Sequence, residues 1–360
     1  MTALRQAVVG PKGSRLGVLT GGPPEGRPVC LVHGNLSSAR FFEPLATWLA
    51  TSRRVLVPDL RGFGHSDPAP VDARRGMRDF ADDLDRVLGE PQVLSPGQRV
   101  HLLGWSMGGG VVMEYAVLHP ERVASVCLVA PLPPYGVGGT KDVHGTLCYP
   151  DGAGSGAGLV SPELVERLAA GDKGDASLGS PRNLLRSVYV QPPFRLARAL
   201  EDLLVDEILL TALGEANYPG DVLPSENWPG CAPGTSGVVN AMSPLYCDLS
   251  GFAEVAASVP VLWVRGDEDR VVSDRSNIDV AVLGQAGVVP GWPGNEVFPP
   301  QPMVSQTREM LRRAEQMGGK VVEAVFSGCG HSPLLEQPEH FRELLASFLT
   351  SVEEREWVHR

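Results

Sequence analysis

The chain has 360 residues, enough for one large domain or two, and its 43% apolar content allows a sizeable buried core. A formal net charge of −11 argues against nucleic acid or an anionic membrane as a partner, and the charged fraction of 20% is ordinary for a globular protein. The N-terminal stretch has no basic segment followed by an apolar one, so no Sec signal peptide is expected, and no run is long enough to cross a bilayer. The six cysteines form no C-x-x-C pair and show no zinc spacing. A reduced, cytoplasmic protein is therefore expected. Cys30 and Cys127 lie in apolar runs and read as small core residues, and Cys329, two before His331, has no metal-binding partners around it.

In chain order, residues 5–9 and 15–20 read as edge strands joined by a Gly-Pro-Lys-Gly turn. Pro28–His33 and Arg54–Asp59 are short apolar runs that fit strands buried on both faces, with helical spacing over Phe41–Ala50 between them. Met77–Leu88 reads as an amphipathic helix with acids on its outer face. Val100-His-Leu-Leu-Gly-Trp-Ser-Met-Gly then gives a strand, a sharp turn and a helix, and Arg122–Ala130 is another buried strand. Alternating strands and helices predict a parallel sheet with helices on both faces.

From Pro131 to about Ser250 this rhythm stops. A glycine-rich stretch over 136–160 is followed by helical segments at 161–171, 181–189 and 194–213, then by a Pro/Gly/Asn-rich run. So long an irregular stretch inside a domain is usually functional. The sheet pattern resumes at Val259–Arg265, a second insertion covers 276–303, and a helix at 304–317 leads to a last strand, Lys320–Phe326, and a closing helix at 338–350. The expected division is a core of 1–131 and 251–360 with a cap over 132–250. No internal repeat is visible.

Gly104-Trp-Ser106-Met-Gly108 matches G-x-S-x-G, the turn that presents a nucleophilic serine between strand and helix. Glycines flank the serine because its backbone is strained and the strand and helix approach closely. Alone the pentapeptide is weak: at this glycine content chance supplies one in roughly one chain in three. Its weight comes from order. Ser106, an acid at 267–269 and His331 each follow a predicted strand, and open α/β sheets gather ligands at the carboxyl ends of their strands.

Five motifs in this order make the chain resemble the α/β-hydrolase family: His33-Gly34 after a strand, Asp59-Leu-Arg-Gly-Phe-Gly-His-Ser-Asp67, the serine turn, Gly266-x-x-Asp269, and Gly330-His331. The resemblance covers roughly 1–131 and 259–350. It implies an α/β-hydrolase fold, an eight-stranded, mostly parallel sheet carrying a mainly helical and irregular cap. It implies Ser106 as nucleophile, His331 as its base and Asp269 as the acid that orients the histidine, with Asp267 and Glu268 as neighbours able to do the same work. The backbone N–H groups of Met107 and Asn35 are the expected oxyanion hole, with Leu36 as the alternative to Asn35. His33 is expected to order the loop that carries Asn35, while Arg61 and Asp67 read as loop anchors. Trp105, Leu36 and the aromatics Tyr135, Tyr189, Tyr218 and Trp228 are candidates for a substrate pocket.

The expectation is a serine hydrolase that needs no cofactor and no metal. Its substrate would be a medium-sized, largely apolar small molecule, either an ester or a lactone. No nucleic acid and no membrane is expected as a partner, and a homodimer stays open. The same triad serves carbon–carbon bond hydrolases and cofactor-free perhydrolases, although Asn35-Leu-Ser-Ser lacks the glycine-rich turn usual in the former. A serine at 106, where haloalkane dehalogenases and epoxide hydrolases carry aspartate, argues against both of those. A non-catalytic binding protein on this fold would normally have lost a triad member, and all three are present.

Overall fold

The computed structural model describes residues 4–90, 93–95 and 97–358, with side chains described as far as Glu354, so His359 lies outside the described residues. Eight strands form one sheet: β1 (Arg5–Val9), β2 (Leu16–Gly21), β3 (Pro28–Val32), β4 (Arg54–Pro58), β5 (Val100–Trp105), β6 (Val123–Val129), β7 (Val261–Gly266) and β8 (Val321–Phe326). Their order is β1-β2-β4-β3-β5-β6-β7-β8. Only β2 runs against its neighbours, pairing antiparallel with both β1 and β4. All residues of β3, β5 and β6 are buried, which is why these strands read as unbroken apolar runs rather than alternating ones.

Helices cover both faces. On one side α1 (Glu43–Leu49) and the C-terminal α6 (Pro338–Val358) share a core of Phe41, Phe42, Leu45, Phe341, Leu345 and Phe348. On the other, α2 (Arg78–Gly89), α3 (Met107–Leu118) and α5 (Met303–Gln316) pack Phe80, Leu84, Val111, Met310 and Leu311 against the sheet. Full burial of each such side chain contributes about 1.5–3 kcal/mol, so these two layers supply most of the driving force.

Some expected features change. The acids of α2 do not all face outward, since Asp79 and Asp83 are buried. Arg61 draws them in: its Nε donates to Asp83 at 2.6 Å, and its guanidinium lies 3.3 Å from Asp79. A desolvated carboxylate is tolerated when a bidentate cation pairs with it. Arg61 is thus a loop anchor, as expected, and Asp67 is another, accepting from the amides of Gly13 and Arg15. The closing helix also runs on past 350, to Val358.

The chain leaves the sheet after Val129 and returns at Val261. Between these points lie a helix at Pro162–Ala169, another at Pro181–Leu184 that widens into Leu185–Tyr189, α4 (Arg198–Ile208), and a small hairpin pairing 222–224 with 231–233. The expected helix over 194–213 is therefore shorter. Pro192 and Pro193 precede it, and the chain stays non-helical as far as Ala197. Buried Arg182 and half-buried Arg186 both bond Glu201 of α4, at 2.6 and 2.7 Å. The second insertion is joined to the first through Gln301, fully buried, whose side chain bonds Gly138 N, Gly136 O and Gln306.

Candidate active site

Ser106 sits between β5 and α3 with φ 57° and ψ −124°, a conformation L residues rarely adopt. The surrounding glycines explain how the turn closes. A Cβ at Gly104 would run into the Gly108 carbonyl, one at Gly108 into the Val32 carbonyl, and one at Gly109 into Pro131. Only glycine lets β5, α3 and β3 approach this closely. Met107 is the first residue of α3, so its amide is one of the first-turn N–H groups that a helix leaves without an internal acceptor.

The parallel strands bring the other two groups to the same rim. Trp105 at the end of β5 is in register with Val129, and Val129 with Val264 of β7. Gly266 of β7 pairs with Phe326 of β8, and a Cβ on Gly266 would collide with the Cys329 and Gly330 carbonyls. The acid and histidine loops are thereby pressed together.

The three acids after β7 have separate partners. Asp269, buried, accepts from Nδ1 of His331 through Oδ2 at 2.9 Å and from the amides of Val271 and Val272 through Oδ1 at 2.7 and 3.1 Å. Asp267 binds Ser327 Oγ and Gly328 N, closing the turn after β8. Glu268 accepts from Gln191 Nε2 at 2.6 Å. His331 is itself buried, and with Nδ1–H given to a carboxylate its Nε2 is the acceptor left for a neighbouring hydroxyl.

The loop after β3 lies beside Ser106: a Cβ on Gly34 would be 2.9 Å from Ser106 Cβ and 3.4 Å from its Oγ. His33 holds this loop as expected. Its Nδ1–H donates to Gly34 O at 2.8 Å, and its Nε2 accepts from Leu60 N at 2.9 Å. Burial pushes its pKa down to about 4, so it is neutral and keeps both roles at once. Leu36 is buried and has a positive φ of 46°. Beneath it, Asp59 accepts from Ala39 N and His65 N, and desolvation raises its pKa to about 6.

The pocket candidates divide. Tyr189 comes to the site, its ring 5.5 Å from Trp105 and 6.4 Å from His331, its hydroxyl donating to Asn35 O at 2.7 Å and Leu36 O at 3.1 Å. Tyr218 shares the buried cluster with Leu36 and Tyr189. Burial pushes both phenols well above their ordinary range. Trp105 does not face open space. It is 1% exposed, packed between Phe41 and Tyr189, and its Nε1 donates to the His331 carbonyl at 2.8 Å, so it backs the histidine loop.

Tyr135 and Trp228 are not brought to this site. Tyr135 lies against Gly145, and Trp228 packs on Phe298 at 5.0 Å and donates to Pro290 O, where the second insertion competes for it. Among the described residues neither ring stacks on a ring of the site. Sequence reasoning missed Glu336 and Gln191. Glu336 accepts from Gly330 N and Ser332 N around His331, and from Gln191 N at 2.8 Å. An acid four residues after Ser332, which caps the start of a short helix over Pro333–Glu336, was the available signal; for Gln191 there was none.

Among the described residues no group of three or more His, Cys, Asp or Glu is placed to hold a metal ion, and no helix is long and apolar enough to cross a membrane.

Residues 27–153 match the family model of the α/β-hydrolase fold. The topology and the comparisons agree: the chain has the α/β-hydrolase fold. An esterase of Rhodococcus sp. ECU1013 superposes with a TM-score of 0.56 at 20% identity, over 97% of this chain and 99% of that one. In sequence, the chain is 40% identical over 131 residues to a Mycobacterium tuberculosis protein named as an oxidoreductase, EphD, covering 35% of this chain and 21% of that one. It is 34% identical over 110 residues to a 2-hydroxymuconate semialdehyde hydrolase of Pseudomonas sp. CF600, covering 29% of this chain and 36% of that one. The chain spans about a fifth of the length of the first curated relatives that it matches.

Proposed function

We propose that this α/β-hydrolase-fold protein is a serine hydrolase that cleaves a carboxylic ester or lactone without a cofactor, the inserted residues 132–250 forming a cap over the site. The observation that carries this reading is the pairing of His331 Nδ1 with Asp269 at the rim where Ser106 is held in its strained turn. His331 Nε2 takes the Ser106 proton as Oγ attacks the carbonyl carbon, and the carbonyl π pair moves onto oxygen. That oxyanion lies against the amides of Met107 and Asn35. Collapse breaks the bond to the leaving oxygen, which receives the proton from His331. Water, deprotonated by the same imidazole, then attacks the acyl carbon, and collapse breaks the bond to Ser106 Oγ, which takes the proton back from His331 as the acid leaves. Asp269 stabilises the imidazolium and keeps its own charge throughout.

The apolar surroundings of Leu36, Tyr189 and Tyr218 suit an apolar acyl or alkyl group. The test is a substrate screen of esters and lactones by size, with 2-hydroxymuconate semialdehyde as a comparator. Ser106→Ala should abolish turnover, and a fluorophosphonate should label Ser106 alone; undiminished turnover in Ser106→Ala would overturn the reading.

A further inference from the structure

Three loops meet at the candidate site, carrying Asn35, Asp269 and His331, and one short stretch of the inserted region bonds to all of them. Tyr189 Oη donates a shared hydrogen bond to the carbonyls of Asn35 and Leu36. Two residues later Gln191 Nε2 donates to Glu268, the neighbour of Asp269, and the Gln191 amide donates to Glu336, which also accepts from Gly330 N beside His331. A Cβ on Gly330 would lie 2.9 Å from Gln191 N, so the two chains touch there.

The carbonyl directions decide what Tyr189 can do. The peptides of this loop are trans, so each carbonyl points opposite to the N–H of the next residue. Gly34 O is fixed inward by His33 Nδ1 and Ser37 Oγ, both at 2.8 Å, which turns the Asn35 N–H to the other side. Two donors on that carbonyl also polarise its amide and strengthen the Asn35 N–H as a donor. Among the described residues, the hydrogen bonds on the carbonyls of the next two planes come from Tyr189. Leu36 with its positive φ would otherwise relax toward the ordinary helical or extended regions and carry Asn35 with it.

We propose that Tyr189 and Gln191 form a clamp by which the inserted region sets the oxyanion loop against the loops of Asp269 and His331. The proposal rests on the hydrolase reading above, and both residues act as positioning residues. Holding the Asn35 N–H where negative charge develops favours the transition state over the bound substrate, so the clamp acts on kcat more than on KM.

The test uses the full chain and a p-nitrophenyl ester. Tyr189→Phe keeps the ring contacts and removes one hydroxyl. It should lower kcat about tenfold with KM nearly unchanged, and weaken inhibition by a trifluoromethyl ketone, which forms an oxyanion on Ser106, by a similar factor. Gln191→Leu attacks the other end without touching the ring. If the two ends act as one clamp, the double variant loses less than the product of the single losses. Unchanged kcat and ketone inhibition in Tyr189→Phe, or strictly multiplicative losses, would overturn the clamp. Activity persisting in Ser106→Ala overturns the hydrolase reading instead, so the two failures are distinguishable.

Discussion

Replacing Asp269 with asparagine keeps the side chain's shape and leaves one oxygen for the Val271 and Val272 amides, but it removes the charge facing His331 Nδ1. An amide there can donate instead of accept and favours the wrong imidazole tautomer. Asp269→Asn should therefore lower kcat by roughly 10²–10⁴ at pH 7 with little change in melting temperature. Asp267→Asn should do the reverse: kcat within about twofold of the parent, with stability lower by about 1 kcal/mol as the bonds to Ser327 and Gly328 weaken. Steady-state kinetics and thermal melts of the pair decide it; a large kcat loss in Asp267→Asn would mean that the acids are wrongly assigned. At this scale the sequence was informative for Ser106, Asp269 and His331 because each follows a strand in a short motif. Gln191 was not legible, since it matters through a contact to Glu336 spanning 145 residues and no local pattern records it.

Among the elements, the strands buried on both faces were the clearest, because a helix crossover and a fully apolar run leave few alternatives. Helix ends were less clear. The closing helix α6 continues past 350 because Val352 is still buried on the core side and Glu353 turns inward to meet Arg53 and His101, the latter at 3.3 Å. Burial opposes a charge on Glu353, but the bonds from His101 and Arg53 outweigh it and hold its pKa down at about 2. A depressed carboxylate stabilises the fold above its unfolded value, near 4.5, and that contribution is lost as pH falls from 4.5 toward 2. Glu353→Gln should cost about 1–2 kcal/mol at pH 7, allowing for solvent screening, and the gap from the parent should close below pH 4. Urea midpoints at pH 7, 4.5 and 3 check this. A gap that stays constant across that range would show that the contact acts through packing and not through charge.

For the molecule as a whole, the sheet and its two helical layers could be anticipated, but the way the insertions fold could not, because glycine-rich and proline-rich chain has no periodicity to read. Their organisation rests on buried amides. Gln301, with four bonds through its side chain and backbone to Gly138, Gly136, Gln306 and Asp279, joins the segment after Pro134 to the second insertion. Gln301→Ala would strand buried partners and should cost about 2–3 kcal/mol, with faster amide exchange over 136–142 and little change in the sheet. Exchange accelerated equally throughout would mean that the insertions and the core open together. The near end of the inserted region is attached differently. Ser106 O accepts from Leu132 N at 2.8 Å, and Pro131 is lodged against Gly109 of α3. Mechanically, the inserted half is moored at its root to the Ser106 turn, so a displacement of Leu132 bears directly on the backbone of that turn.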